Sequence, residues 1–136
     1  MSGENTSGGG AVANNGKTIL VVDDSPTEQY VLKGILEGAG YNVVTAGDGE
    51  GGIEQARSAK PDLILMDVVM PGMNGFQATR KLSRDPETAD IPIIMVTTKG
   101  QETDRTWGMR QGAKEYLVKP VLAAELLSKI QMVLGI

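Results

Sequence analysis

The chain is expected to fold as an α/β domain of five parallel strands alternating with five helices, (βα)5, joined by right-handed crossovers. Three observations predict this. From Lys17 onward, short apolar runs alternate with segments of helical periodicity. Three of those runs are continuously apolar, as strands covered on both faces are. The residues able to do chemistry cluster where the runs end, and open α/β sheets bind ligands outside the carboxyl ends of their strands.

The elements follow in order. Strand 18–22 (TILVV) runs straight into Asp23 and Asp24. The first helix opens with Ser25-Pro26-Thr27-Glu28, which has the form of a capping box with Pro at the first helical position and stabilises the helix start by roughly 1 kcal/mol. Leu32, Ile35, Leu36 and Ala39 give it one apolar face, and Gly40 can end it in the left-handed conformation. Strand 41–46 (YNVVTA) is mixed in character, which suits a sheet edge. Segment 49–59 carries three glycines and is closed by Pro61, so it reads as a loosened helix of about two turns. Strand 62–66 (DLILM), helix 74–84, strand 92–97 (PIIMVT), helix 101–111 and strand 115–118 (EYLV) come next. The last helix, 122–134, puts Leu122, Leu126, Ile130, Val133 and Leu134 on one stripe. Met66, Met70, Met73 and Met95 are expected to fill core gaps. Residues 1–16 (MSGENTSGGGAVANNG) have too little apolar surface to offset their ordering entropy and are expected to be a disordered tail, leaving 17–136 as one domain.

Composition removes several function classes. The 136 residues include no cysteine and no histidine. That excludes disulfides, zinc-thiolate sites, thiol nucleophiles and phosphohistidine chemistry. The net charge of -4 is a poor match for nucleic acid or an anionic membrane. No apolar run approaches the ~20 residues of a membrane span, and the N-terminus lacks a signal-peptide pattern. A cytoplasmic protein is expected.

At strand ends stand Asp23 and Asp24, then Asp67, then Thr97 and Thr98, then Lys119. Each alone has an ordinary explanation, such as a helix cap, a turn residue or a solvated charge. Ser25 already supplies the cap, which weakens that explanation for Asp23 and Asp24. Carboxylates crowded together repel one another, and a hard divalent cation relieves the repulsion. Mg²⁺ fits best, since it takes one or two carboxylates with waters and phosphate oxygens, and the lack of His and Cys argues against a softer metal. A carboxylate beside Mg²⁺ and a Lys can attack a phosphoryl group and form an aspartyl phosphate, with a hydroxyl at Thr97 as donor.

The pieces VVDDSP, LILMDVVMPGMNGF, PIIMVTT and YLVKP, in this order, resemble the receiver domain of two-component response regulators over about residues 17–136. The resemblance implies a flavodoxin-like, doubly wound sheet with strand order 2-1-3-4-5. It implies Asp67 as phosphoacceptor, Asp24 as a direct Mg²⁺ ligand, Asp23 as a ligand through water, and Val69 as a ligand through its carbonyl. Thr97 becomes the switch hydroxyl, Lys119 the phosphate-binding ammonium and Tyr116 the switch aromatic. The Lys119–Pro120 bond is expected to be cis, as in the family. Finer stretches, DDSPTEQY, MNGFQATRKL and TTKGQETDRTWGMRQGAKEYLVKP, are similar to single-domain regulators of twitching-motility, chemotaxis-like systems.

A histidine kinase is then the expected phosphodonor, and a downstream protein the target of a surface built from the 101–111 helix, the 115–118 strand and the 122–134 helix. Trp107 and Arg105 are candidate contacts on it, with core packing the alternative for Trp107. A monomer is expected. Two departures from the family stand out: Thr98 where a smaller residue is usual, and Val69 where some fast-hydrolysing members carry an amide. Both predict slow self-dephosphorylation. Competing readings are an Mg²⁺-dependent phosphohydrolase, a phosphate sink, and a nucleotide-binding module. The last rests on Gly47-Asp48-Gly49-Glu50-Gly51-Gly52, which formally satisfies G-x-G-x-x-G. Asp48 and Glu50 would repel a pyrophosphate there, and the glycines are expected to loosen the helix instead.

Overall fold

The computed structural model describes residues 16–136; of the expected tail, residues 1–15 lie outside the described residues. The strands are β1 (Thr18–Val22), β2 (Asn42–Ala46), β3 (Leu63–Met66), β4 (Ile93–Thr97) and β5 (Glu115–Val118). The helices are α1 (Pro26–Gly38), α2 (Gly49–Ala59), α3 (Gly75–Arg84), α4 (Glu102–Gln111) and α5 (Ala123–Leu134). All strand pairs are parallel, and the sheet order is β2-β1-β3-β4-β5, the doubly wound order expected.

The two-residue side-chain period of a strand divides the core in two. Ile19, Val21, Leu63, Leu65, Ile94 and Val96 face α1 and α5, where they meet Leu32, Leu36, Leu126 and Ile130. Leu20, Val22, Ile64, Met66 and Ile93 face the opposite way and meet Ile53 and Ala56 of α2 and Ala78 and Leu82 of α3. Met66, Met70 and Met95 are buried and Met73 packs on the core, the filler role expected of them. Burial of each large side chain contributes about 1.5–3 kcal/mol. Among the described residues no helix is long and apolar enough to cross a membrane.

Three local expectations need correction. Segment 49–59 forms an 11-residue helix of about three turns rather than two. Its glycines serve close approach, not looseness: a Cβ at Gly52 would lie 2.8 Å from Val22 Cγ2. The Asp48 side chain caps this helix by accepting from Gly51 N–H at 2.7 Å, so the G-x-G-x-x-G stretch spends its first-turn donors on the chain itself. Leu122 is not on the buried stripe: it is the residue preceding α5 and is 73% exposed, while Val121 packs on the core in its stead. The third concerns Glu28 and is described with the site.

Candidate functional site: an acidic notch at the carboxyl edge of the sheet

Ladder hydrogen bonds continue one residue past the strands and pin the site residues to their neighbours. Asp23 N–H donates to Ala46 O (3.0 Å), Asp67 N–H to Val22 O (3.0 Å) and Lys119 N–H to Thr97 O (2.8 Å). The main chain of three charged residues is therefore held as rigidly as the sheet. Carboxylate oxygens of Asp23, Asp24 and Asp67 lie within 4.8 Å of one another. Asp23 and Asp67 are buried, whereas Asp24 is exposed at the mouth.

Asp23 uses both oxygens. Its Oδ1 accepts from Ser25 N–H at 2.9 Å, and its Oδ2 accepts from Lys119 Nζ at 2.8 Å. The first contact explains why the expected capping box is only half made. Ser25 Oγ does accept from Glu28 N–H, at 3.2 Å. The reciprocal bond from Ser25 N–H goes to Asp23, which leaves the Glu28 carboxylate free, and it lies 3.7 Å from Lys119 Nζ. Gln29 Nε2 ties α1 down by donating to Asp23 O at 2.6 Å.

Asp67 Oδ1 accepts from Val68 N–H at 2.8 Å, and Asp67 Oδ2 lies 3.7 Å from Lys119 Nζ. Burial raises the Asp67 pKa, Lys119 pulls it down, and the Asp23 charge raises it again; the net direction is upward. Burial alone would lower the Lys119 pKa, but the Asp23 hydrogen bond and the charges of Asp67, Asp23 and Glu28 more than offset it, so it is raised. The ammonium is thus held fully charged. Behind Asp67, the start of α3 presses on the backbone. Gly75 N–H donates to Val68 O at 2.9 Å, and a Cβ at Gly75 would overlap Asp67 O.

Thr97 is buried, and its Oγ1 accepts from Lys99 N–H at 3.2 Å. Thr98 is exposed and lines a cleft with Lys119, Pro120 and α1. The Tyr116 ring is buried against Met95 and Ala113, as the core reading of this residue requires. Burial, and then Asp104 and Asp67, push its phenol up to about 12. Arg105, exposed, donates to Tyr116 O at 3.1 Å; Trp107 is 47% exposed on the same helix, which removes the core reading for its side chain. Val69 points outward beside Asp67. The Lys119–Pro120 bond is cis. Sequence reasoning did not place Glu28 beside Lys119, because its capping-box spacing pointed to Ser25 instead. It also missed Lys99, whose backbone N–H rather than side chain meets Thr97.

The donor set fits a small hard cation. Three carboxylates gather in a partly desolvated notch where the Lys119 ammonium meets Asp23 and Asp67, the oxygens are close enough to share an ion, and the chain has neither Cys nor His.

A (βα)5 sheet with this acid cluster, hydroxyl and lysine at its carboxyl edge has the charge arrangement to hold a divalent cation beside a phosphoryl group. The chain belongs to the response regulator receiver domain family, which matches residues 19–131. It is 59% identical over 117 residues to Protein PilH of Pseudomonas aeruginosa PAO1, covering 86% of this chain and 97% of that one. Among solved structures it is similar to chemotaxis protein CheY4 of Vibrio cholerae, with TM-score 0.81 and 35% identity over 86% of this chain and 98% of the other. The receiver domain of sensor histidine kinase PA1611 from P. aeruginosa PAO1 superposes with TM-score 0.82 at 34% identity, covering 89% and 99% of the two chains; that structure holds a magnesium ion coordinated in its active site cleft.

Proposed function

We propose that this chain is a response regulator of a phosphorelay in motility control, accepting a phosphoryl group from a histidine kinase on Asp67. The observation that carries the reading is the placement of Asp67: buried, beside Asp23 and Asp24, and 3.7 Å from the Lys119 ammonium. The likeness to PilH supports the link to pilus-driven, twitching-type motility. Asp24, Asp67, the Val69 carbonyl and, through water, Asp23 would hold Mg²⁺. When bound, Mg²⁺ supplies charge neutralisation to the transferring phosphoryl group. Lys119 offers the second positive charge, and the Thr97 hydroxyl turns from Lys99 N–H toward a phosphoryl oxygen. Loss of that acceptor loosens the turn that carries Lys99, and the face made by α4, β5 and α5, with Arg105 and Trp107 on it, changes its affinity for a target protein. Phosphorylation acts here as a ligand that favours one of two states.

The test is mass spectrometry of the chain after acetyl phosphate treatment in Mg²⁺. The chain is expected to gain one phosphate. Asp67→Ala abolishes the gain, and Asp24→Ala lowers it with a raised Mg²⁺ requirement. Unchanged labelling of Asp67→Ala would refute the assignment. With Thr98 beside the site and Val69 lacking an amide, the phosphorylated chain is expected to outlast the seconds scale; decay of a radiolabelled sample within seconds would contradict this.

A further inference from the structure

We propose that Glu28 is a selectivity residue for the phosphodonor, its carboxylate opposing small dianionic donors at the mouth of the notch. The inference rests on Asp67 as the acceptor. Its starting point is a displacement: Asp23 Oδ1 occupies Ser25 N–H, so Glu28 cannot close the capping box. The Glu28 carboxylate turns instead to Lys119 Nζ, at 3.7 Å, where it is 44% exposed and so faces the solvent from which donors arrive. Lys119, 12% exposed, is bonded to Asp23 at 2.8 Å and is as far from Asp67 Oδ2 as from Glu28. Glu28 therefore draws on the ammonium that an incoming phosphoryl group needs, and adds a negative charge to a notch at whose mouth Asp24 is also exposed.

In the transfer, an Asp67 carboxylate oxygen forms a bond to phosphorus while the phosphorus–oxygen bond to acetate breaks. Acetate leaves with the electron pair, and no proton moves. Acetyl phosphate approaches as a dianion near neutral pH, phosphoramidate as a monoanion. A fixed charge at the mouth opposes the first about twice as strongly, and salt screens the difference. A protein donor brings its own contacting surface and can offset the charge, whereas a free metabolite cannot.

The experiment compares phosphorylation rates of the wild-type chain, Glu28→Gln, Glu28→Asp and Glu28→Lys with both donors, in saturating Mg²⁺, at low and high ionic strength. Gln serves as well as Glu at the third helical position, and thermal unfolding followed by circular dichroism verifies the fold. Glu28→Gln is expected to react about threefold or more faster with acetyl phosphate at low salt. The gain should shrink at high salt and be smaller with phosphoramidate, with Glu28→Lys faster still and Glu28→Asp near wild type. A rate unchanged in Glu28→Gln, or a gain that ignores both salt and donor charge, overturns the proposal while leaving Asp67 as acceptor. Failure of the wild-type chain to take up phosphate from either donor overturns both.

Discussion

The phenol of Tyr116 donates to the backbone carbonyl of Lys99 at 2.6 Å, and the N–H of that same residue donates to Thr97 Oγ1 at 3.2 Å. One peptide segment thus joins the hydroxyl at the acidic notch to the aromatic ring under α4. The two bonds are the shortest hydrogen-bonded route between Thr97 and the Tyr116 phenol, through the one residue Lys99.

Removing the phenol tests that connection. Tyr116→Phe keeps the ring against Met95 and Ala113 and leaves the Lys99 carbonyl, in a solvent-accessible turn, to water. A loss of about 1 kcal/mol is expected in urea unfolding. Phosphorylation is expected to change Trp107 emission, and Tyr116→Phe to diminish that change. Unaltered stability and an unaltered emission change would argue that the bond transmits nothing.

The entry to α3 is the least tolerant backbone position near the site. A Cβ at Gly75 would overlap Asp67 O and sit 2.8 Å from Val68 Cα, and backbone cannot swing aside as a side chain can. Gly75→Ala is expected to destabilise the chain by about 1–3 kcal/mol and to slow Asp67 labelling by shifting the acceptor. A variant with wild-type midpoint and rate would contradict the close approach.

Asp67 should cost the fold stability at neutral pH when Mg²⁺ is withheld. Its carboxyl pKa is raised in the folded chain, chiefly by burial. A raised carboxyl favours the folded state below its ordinary pKa and loses that advantage as pH rises through the folded value. Asp67→Asn, which removes the charge, is therefore expected to melt on the order of a few degrees higher at pH 7 in chelator. The difference should vanish below the ordinary aspartate range and shrink when Mg²⁺ is added. A lower melting temperature at pH 7 would reverse the sign and reject this account.

Leu122 and Leu126, four residues apart at the start of α5, should respond unequally. Leu122 is 73% exposed and Leu126 is fully buried. Leu122→Ala is expected to alter stability by less than about 0.5 kcal/mol, since Ala and Leu cap a helix equally poorly, whereas Leu126→Ala should cost about 2–5 kcal/mol. Equal losses, read from chemical denaturation, would restore Leu122 to the core.

Much of this molecule was legible in one dimension. Apolar runs of strand length, such as ILVV and LILM, separated by helical periods, give the parallel sheet directly, because burial on both faces demands continuous apolar residues. Asp23, Asp24, Asp67, Thr97 and Lys119 could be placed on one rim, because every parallel strand delivers its carboxyl end to the same edge. What local pattern could not decide was competition between partners. Ser25 and Glu28 have capping-box spacing, yet Asp23 reaches the Ser25 N–H first, and that outcome depends on where the sheet holds Asp23. The glycines of α2 look like helix breakers until Val22 is seen pressing against Gly52 from another element. Sequence thus determined which residues could meet at the edge of the sheet. Tertiary packing decided which of them touch, because hydrogen-bond donors and close contacts are filled by whatever the folded backbone brings nearest.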